Sequence, residues 1–144
     1  MNTPLTPKEQ EQLLDAAQRA RENSYSPYSK FKVGAAVLTE NGEIFSGTNI
    51  ENASYGLTVC AERNAIFSAV GAGRRKLRAL ALVTQKLPDL DFNSPCGACR
   101  QVMSEFLAPD APIYMAVLDG TRRTVFCKRL AEIMPFPFDK FSEK

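Results

Sequence analysis

Cys60-Ala61-Glu62-Arg63 and Pro95-Cys96-Gly97-Ala98-Cys99-Arg100 are the two stretches whose reading decides the fold. Each reads as the first turn of a helix, and the apolar segment Leu80–Thr84 between them reads as a strand. Two helix starts packed side by side bring three sulfurs to one point. Three protein ligands leave zinc one open position, the mark of a catalytic site, whereas structural zinc sites are usually closed by four. A glutamate two residues after the first cysteine, itself not a ligand, is placed to move the protons of a hydrolysis.

Outward from these stretches the pattern continues. Thr6-Pro7-Lys8-Glu9 is a capping box with proline in the first turn, and Leu13, Leu14, Ala17 and Ala20 continue a helix to about Glu22. Phe31–Thr39 reads as a strand, Asn41-Gly42 as a hairpin turn and Ile44–Asn49 as the returning strand. The helix from Cys60 ends near Val70, before Gly71-Ala72-Gly73, and the helix from Pro95 runs to about Leu107. Ile113–Leu118 and Thr124–Phe126 predict two further strands, Lys128–Ile133 a short helix, and the tail beyond Pro135 is irregular. Strands interleaved with helices predict an α/β fold: a three-layer α/β/α arrangement around a mixed, about five-stranded sheet. No repeat or linker interrupts the chain, so residues 1–144 are expected to form one domain.

Composition narrows the class. An apolar fraction of 44% with 24% charged residues fits a globular chain whose core needs no disulfide staples. A net charge of +2 argues against a strongly electrostatic nucleic-acid binder, so no nucleic acid is expected as a partner. Met1–Gln10 has no apolar signal-peptide core, and no run approaches the about 18 apolar residues that span a bilayer. The expectation is a cytoplasmic protein with no membrane partner.

The cysteines admit other readings. Cys127 could close a four-sulfur structural site, though as a residue following a short strand it reads more simply as a small buried side chain. Cys96-Gly97-Ala98-Cys99 could be a redox pair. Glu62 alone could be an ordinary first-turn acid favoured by the helix dipole. Arg63 and Arg100, each within a turn of a ligand cysteine, are candidates to donate hydrogen bonds to sulfur and offset the charge of a three-thiolate zinc.

A Cys ligand set with an adjacent glutamate and a Pro-Cys-x-x-Cys is the pattern of zinc-dependent nucleobase deaminases. The chain resembles the cytidine deaminases of the small, homotetrameric, three-cysteine class. The resemblance covers Tyr25–Phe31 with Val33–Ala36, Gly47–Gly56, Cys60–Arg63, Pro95–Gln101 and the Met134-Pro135 segment. The absence of histidine agrees with the three-cysteine form.

The resemblance implies one Zn2+ per subunit on Cys60, Cys96 and Cys99, with Glu62 as acid and base. It implies that Asn49 and Glu51 bind the ribose 3′-hydroxyl, that Phe31 packs on the pyrimidine, and that the backbone of Ala61 reads the base edge. Tyr55 and a C-terminal phenylalanine would reach a neighbouring subunit's site in a homotetramer. Ile133-Met134-Pro135-Phe136-Pro137-Phe138 departs from the family's usual small residues, leaving Phe136 and Phe138 as candidates; the alignment favours Phe138.

The implied activity is hydrolytic deamination of free cytidine and deoxycytidine to uridine and deoxyuridine, as in pyrimidine salvage. Rival readings are deamination of a modified cytosine nucleoside of the aminonucleoside antibiotic type, a polynucleotide cytosine deaminase, and a non-catalytic zinc or nucleoside-binding module.

Overall fold

The computed structural model describes residues 4–90 and 92–140. Among these residues five strands form one mixed sheet: β1 (Gly34–Thr39), β2 (Ile44–Thr48), β3 (Leu77–Gln85), β4 (Pro112–Asp119) and β5 (Arg122–Arg129). Their order is β2-β1-β3-β4-β5, and only β3 and β4 run parallel. That parallel pair needs a crossover, which carries the helix opened by the second cysteine group.

Helices cover both faces, as expected. α1 (Pro7–Arg21) starts at the predicted capping box: Glu9 donates its backbone N–H to Thr6 Oγ1 at 3.1 Å, and Thr6 N–H donates to Glu9 Oε1 at 3.0 Å. Its Leu13, Leu14 and Ala17 pack with Ala36, Leu38, Ala79 and Ala81 on one face of the sheet. α2 (Ala61–Gly71) and α3 (Gly97–Phe106) pack with Ala35, Val37, Leu80, Leu82 and Met115 on the other. All of β1 is therefore buried, its alternate residues serving two cores.

Two glycines set how closely helices approach the sheet. A Cβ at Gly34 would stand 1.9 Å from the Ala17 carbonyl oxygen of α1. One at Gly47 would stand 2.4 Å from the Ala65 nitrogen of α2. Bare backbone at Gly47 thus lets α2 lie against β2, with the helix start beside the strand's end.

Several boundaries differ from the sequence-based expectation. Phe31–Val33 precedes β1; the Asn49 side chain bonds both Phe31 and Val33, and the Asn49 backbone N–H adds a single ladder-like bond to the Val33 carbonyl at 3.3 Å. β5 continues through Cys127, Lys128 and Arg129, which pair with Tyr114, Ile113 and Pro112. The last helix, α4 (Leu130–Ile133), is correspondingly shorter. Cys127, expected to be buried, is exposed on this edge strand.

Candidate metal centre and pocket

Cys60 and Cys96 are the N-cap residues of α2 and α3, and Cys99 lies in the first turn of α3. The Cys96 sulfur accepts the Cys99 backbone N–H at 3.4 Å, doing for α3 what a serine or aspartate oxygen does at other helix starts. Cys96 Sγ stands 3.4 Å from Cys99 Sγ and 3.9 Å from Cys60 Sγ, and the three sulfurs lie within 4.8 Å of one another. Zinc–sulfur bonds of about 2.3 Å at tetrahedral angles put sulfurs about 3.8 Å apart, so the donor set fits zinc. Cys127 is not part of this cluster, which leaves the four-sulfur reading without its fourth ligand.

The thiols share their protons unequally. Cys60 is brought down to about 5, chiefly by a hydrogen bond from the Cys99 thiol, with the Arg63 guanidinium adding to it. Cys99 is pushed up, because it is the donor in that pair and is buried. Arg63 Nη2 donates to Cys60 Sγ at 3.4 Å, while its Nε is buried without a hydrogen-bond partner among the described residues.

Glu62 is only 5% exposed. Burial pushes its carboxyl up to about 7, and the negative charge of Cys60 pushes in the same direction. A carboxyl tuned to neutrality can both take and give a proton in water near pH 7. The structural reading of Glu62 as an exposed first-turn acid does not fit this burial.

A cavity of about 300 Å³ opens onto Cys60, Glu62 and Cys96. Phe31, Asn49, Glu51 and Ala61 also line it, so seven of the sequence-derived candidates meet at one pocket. Asn49 is nearly buried: its Oδ1 accepts from Val33 N–H at 3.0 Å and from the Ser24 hydroxyl at 2.5 Å, and its Nδ2 donates to the Phe31 carbonyl at 2.8 Å. Glu51 Oε1 accepts the backbone N–H groups of Tyr28 and Ser29 at 3.0 and 3.1 Å, and its Oε2 accepts from the Ser29 hydroxyl. Those bonds, led by the Ser29 hydroxyl, hold the Glu51 carboxyl below its usual range. Each side chain retains one unused valence: an amide hydrogen on Asn49 and a lone pair on Glu51.

Tyr55 and Phe138 do not line this chain's pocket. Tyr55 is 75% exposed and meets the Tyr28 ring edge-on at 5.9 Å between centroids. Phe138 is exposed, and its carbonyl accepts from Gln101 Nε2 at 2.7 Å. Arg100 departs from expectation: its donors go to the Pro95 and Ile133 carbonyls and the Ser94 hydroxyl, not to sulfur. Sequence reasoning missed Ser29, Thr84 and Asn93, which line the cavity. Thr84 had a readable signal, a polar residue in register with Leu80 and Leu82 on one strand face.

The model of the cytidine and deoxycytidylate deaminase zinc-binding region matches residues 7–115. A cytidine deaminase of Sporosarcina psychrophila is 45% identical over 130 residues, covering 90% of this chain and 91% of that one. The crystal structure of cytidine deaminase from Burkholderia pseudomallei superposes with a TM-score of 0.82 at 43% identity, covering 93% of this chain and all of that one. A blasticidin-S deaminase of Bacillus cereus is 37% identical over 117 residues, covering 78% of this chain and 80% of that one.

Proposed function

The chain belongs to the cytidine deaminase family, and on that premise we propose that it hydrolyses free cytidine and deoxycytidine to uridine and deoxyuridine with release of ammonia. The observation that carries this reading is the convergence of three cysteine sulfurs and the buried Glu62 on one cavity. Cys60, Cys96 and Cys99 hold zinc. When bound, zinc would supply the Lewis acidity that makes the hydrolytic water easier to deprotonate near neutral pH.

Glu62 carries the protons. Its carboxylate takes one from the attacking water and delivers it to ring N3 as the C4–O bond forms. The carboxylate then takes the remaining proton from the new C4 hydroxyl and passes it to the amino nitrogen, so that the C4 carbonyl forms as the C4–N bond breaks and ammonia leaves. Arg63 offsets part of the sulfur charge through its hydrogen bond to Cys60. Phe31 and Ala61 line the cavity, which supports a base lying against Phe31 with its edge toward the Ala61 backbone.

Asn49 and Glu51 are suited to one hydroxyl, since the spare amide hydrogen donates to its oxygen while the spare carboxylate lone pair accepts its hydrogen. That pairing supports the ribose 3′-hydroxyl as the group recognised. The carboxylate of Glu51 also disfavours a nucleotide phosphate nearby. The unit in solution is a homotetramer in which Tyr55 and Phe138 of one subunit reach a neighbour's pocket; their exposure in the single chain supports this.

The likeness to a blasticidin-S deaminase favours one competing reading, a modified cytosine nucleoside as substrate. Turnover of cytidine, deoxycytidine and blasticidin S by the purified protein, followed by absorbance and ammonia release, separates the two. The proposal expects cytidine and deoxycytidine to be deaminated at far higher kcat/KM than the antibiotic. Binding of cytidine without ammonia release would instead mark a non-catalytic nucleoside-binding module.

A further inference from the structure

Residues 92–96, which carry the ligand Cys96, belong to no helix or strand. Side chains hold this segment at both ends. At one end Asn93 Nδ2 donates to Thr84 Oγ1 at 2.7 Å and to the Gln85 carbonyl at 3.3 Å, fixing it to the end of β3. At the other end stands Arg100, one turn into α3. Its Nε donates to the Pro95 carbonyl at 2.7 Å, its Nη2 to the Ser94 hydroxyl at 2.9 Å, and its Nη1 to the Ile133 carbonyl at 2.7 Å.

We infer that Arg100 is a positioning residue that sets Cys96 for zinc by bracing the Ser94–Pro95 turn against the end of α4. The guanidinium acts as a rigid fork, not as a charge near sulfur. Its donors sit in a fixed plane, so two bonds to adjacent residues of the turn orient the peptide that enters Cys96. Pro95 strengthens this, since its ring fixes φ and leaves its carbonyl as the one backbone group the turn can offer there. The third bond ties the turn to Ile133, where the C-terminal segment begins. Helix α3 grips that segment again through Gln101 and the Phe138 carbonyl, but Gln101 has no hydrogen bond to the ligand turn among those described. Cys96 is thereby joined mechanically to the chain beyond α4.

This inference rests on the reading that Cys60, Cys96 and Cys99 hold zinc. The test measures zinc release from the loaded protein into a chromogenic chelator, for the native chain, Arg100→Ala, Arg100→Lys and Gln101→Ala, with thermal melting of each. Arg100→Ala should release zinc at least about tenfold faster than native. Arg100→Lys, which keeps the charge and loses the fork, should remain well short of native retention, and Gln101→Ala should match native.

Native-like retention in Arg100→Lys would show that charge alone suffices and would overturn the inference, as would native-like retention in Arg100→Ala. Equal release from Gln101→Ala and Arg100→Ala would overturn it too, by reducing the effect to a loosened helix. Should Arg100→Ala fail to fold, the lysine variant decides. A native chain that takes up no zinc at these cysteines would defeat the parent reading itself, a result distinct from all of these.

Discussion

Asn49 donates its side-chain amide to the Phe31 carbonyl at 2.8 Å while accepting the Val33 N–H at 3.0 Å. One side chain thus imitates a short stretch of β-ladder for residues that belong to no strand. It holds an aromatic wall of the pocket in place and keeps one amide hydrogen for a ligand. On the proposed reading, substrate recognition and local structure depend on the same residue.

Replacing Asn49 with Ala should cost about 2 kcal/mol, because the half-buried Val33 N–H and Phe31 carbonyl lose their partner. That corresponds to a fall of roughly 6 °C in melting temperature for a chain of this size. KM for cytidine should rise as well. Asn49→Asp keeps the acceptor for Val33 but sets a carboxylate oxygen against the Phe31 carbonyl, so its melting loss should be at least as large and its KM defect should persist.

Gly47→Ala forces a Cβ to within 2.4 Å of the α2 backbone, and backbone cannot swing aside as a flexible side chain can. A loss of about 1–3 kcal/mol is expected from chemical denaturation, with weaker zinc retention because α2 carries Cys60 and Glu62. Gly56→Ala is the control: among the described residues beyond its two chain neighbours, no atom lies within 4 Å of its Cβ position, and it should leave both quantities near native.

Alanine at Cys60, Cys96 or Cys99 should abolish stoichiometric zinc binding, measured by metal analysis after dialysis against a mild chelator. Cys127→Ala should retain both zinc and deaminase activity, since Cys127 sits exposed on β5 away from the cluster. Zinc lost with Cys127 alone would reinstate a four-sulfur site.

Burial raises the Glu62 carboxyl from 4.5 to about 7 in the metal-free chain. A raised folded-state pKa contributes stability that is fully present below pH 4.5 and is lost as pH rises through about 7. The Cys60 thiol works in the opposite sense, so the comparison must be made against a chain that keeps it. Metal-free native protein should lose on the order of 3 kcal/mol relative to metal-free Glu62→Gln between those limits. Thermal melts of both chains across that range check the sign; parallel profiles would contradict it.

Much of this architecture is legible in the residues because the signals are local. The Thr6–Glu9 capping box and the Asn41-Gly42 turn act over a few positions, and Gly42 adopts the left-handed φ of 85° that such a turn requires. The cysteine spacing at two helix starts is local as well, which is why the sulfur cluster could be anticipated. What escaped the reading depends on distant partners. Phe31–Val33 resembles a strand until the Asn49 side chain is seen to replace its neighbour. Lys128 and Arg129 look like a helix start, yet pairing with Ile113 and Pro112 keeps them in β5. Arg100 sits one turn from a ligand, but its donors reach Ile133, a contact no spacing rule supplies.

The central claim is that Glu62 moves the protons of cytidine hydrolysis beside a three-cysteine zinc site. Its most direct test is the initial rate of absorbance loss on adding cytidine to zinc-loaded native protein and to zinc-loaded Glu62→Gln of equal metal content. The account predicts rapid conversion by the native chain and a loss of about 10³-fold or more in kcat for the variant. A variant that holds zinc and turns over cytidine at the native rate would contradict it.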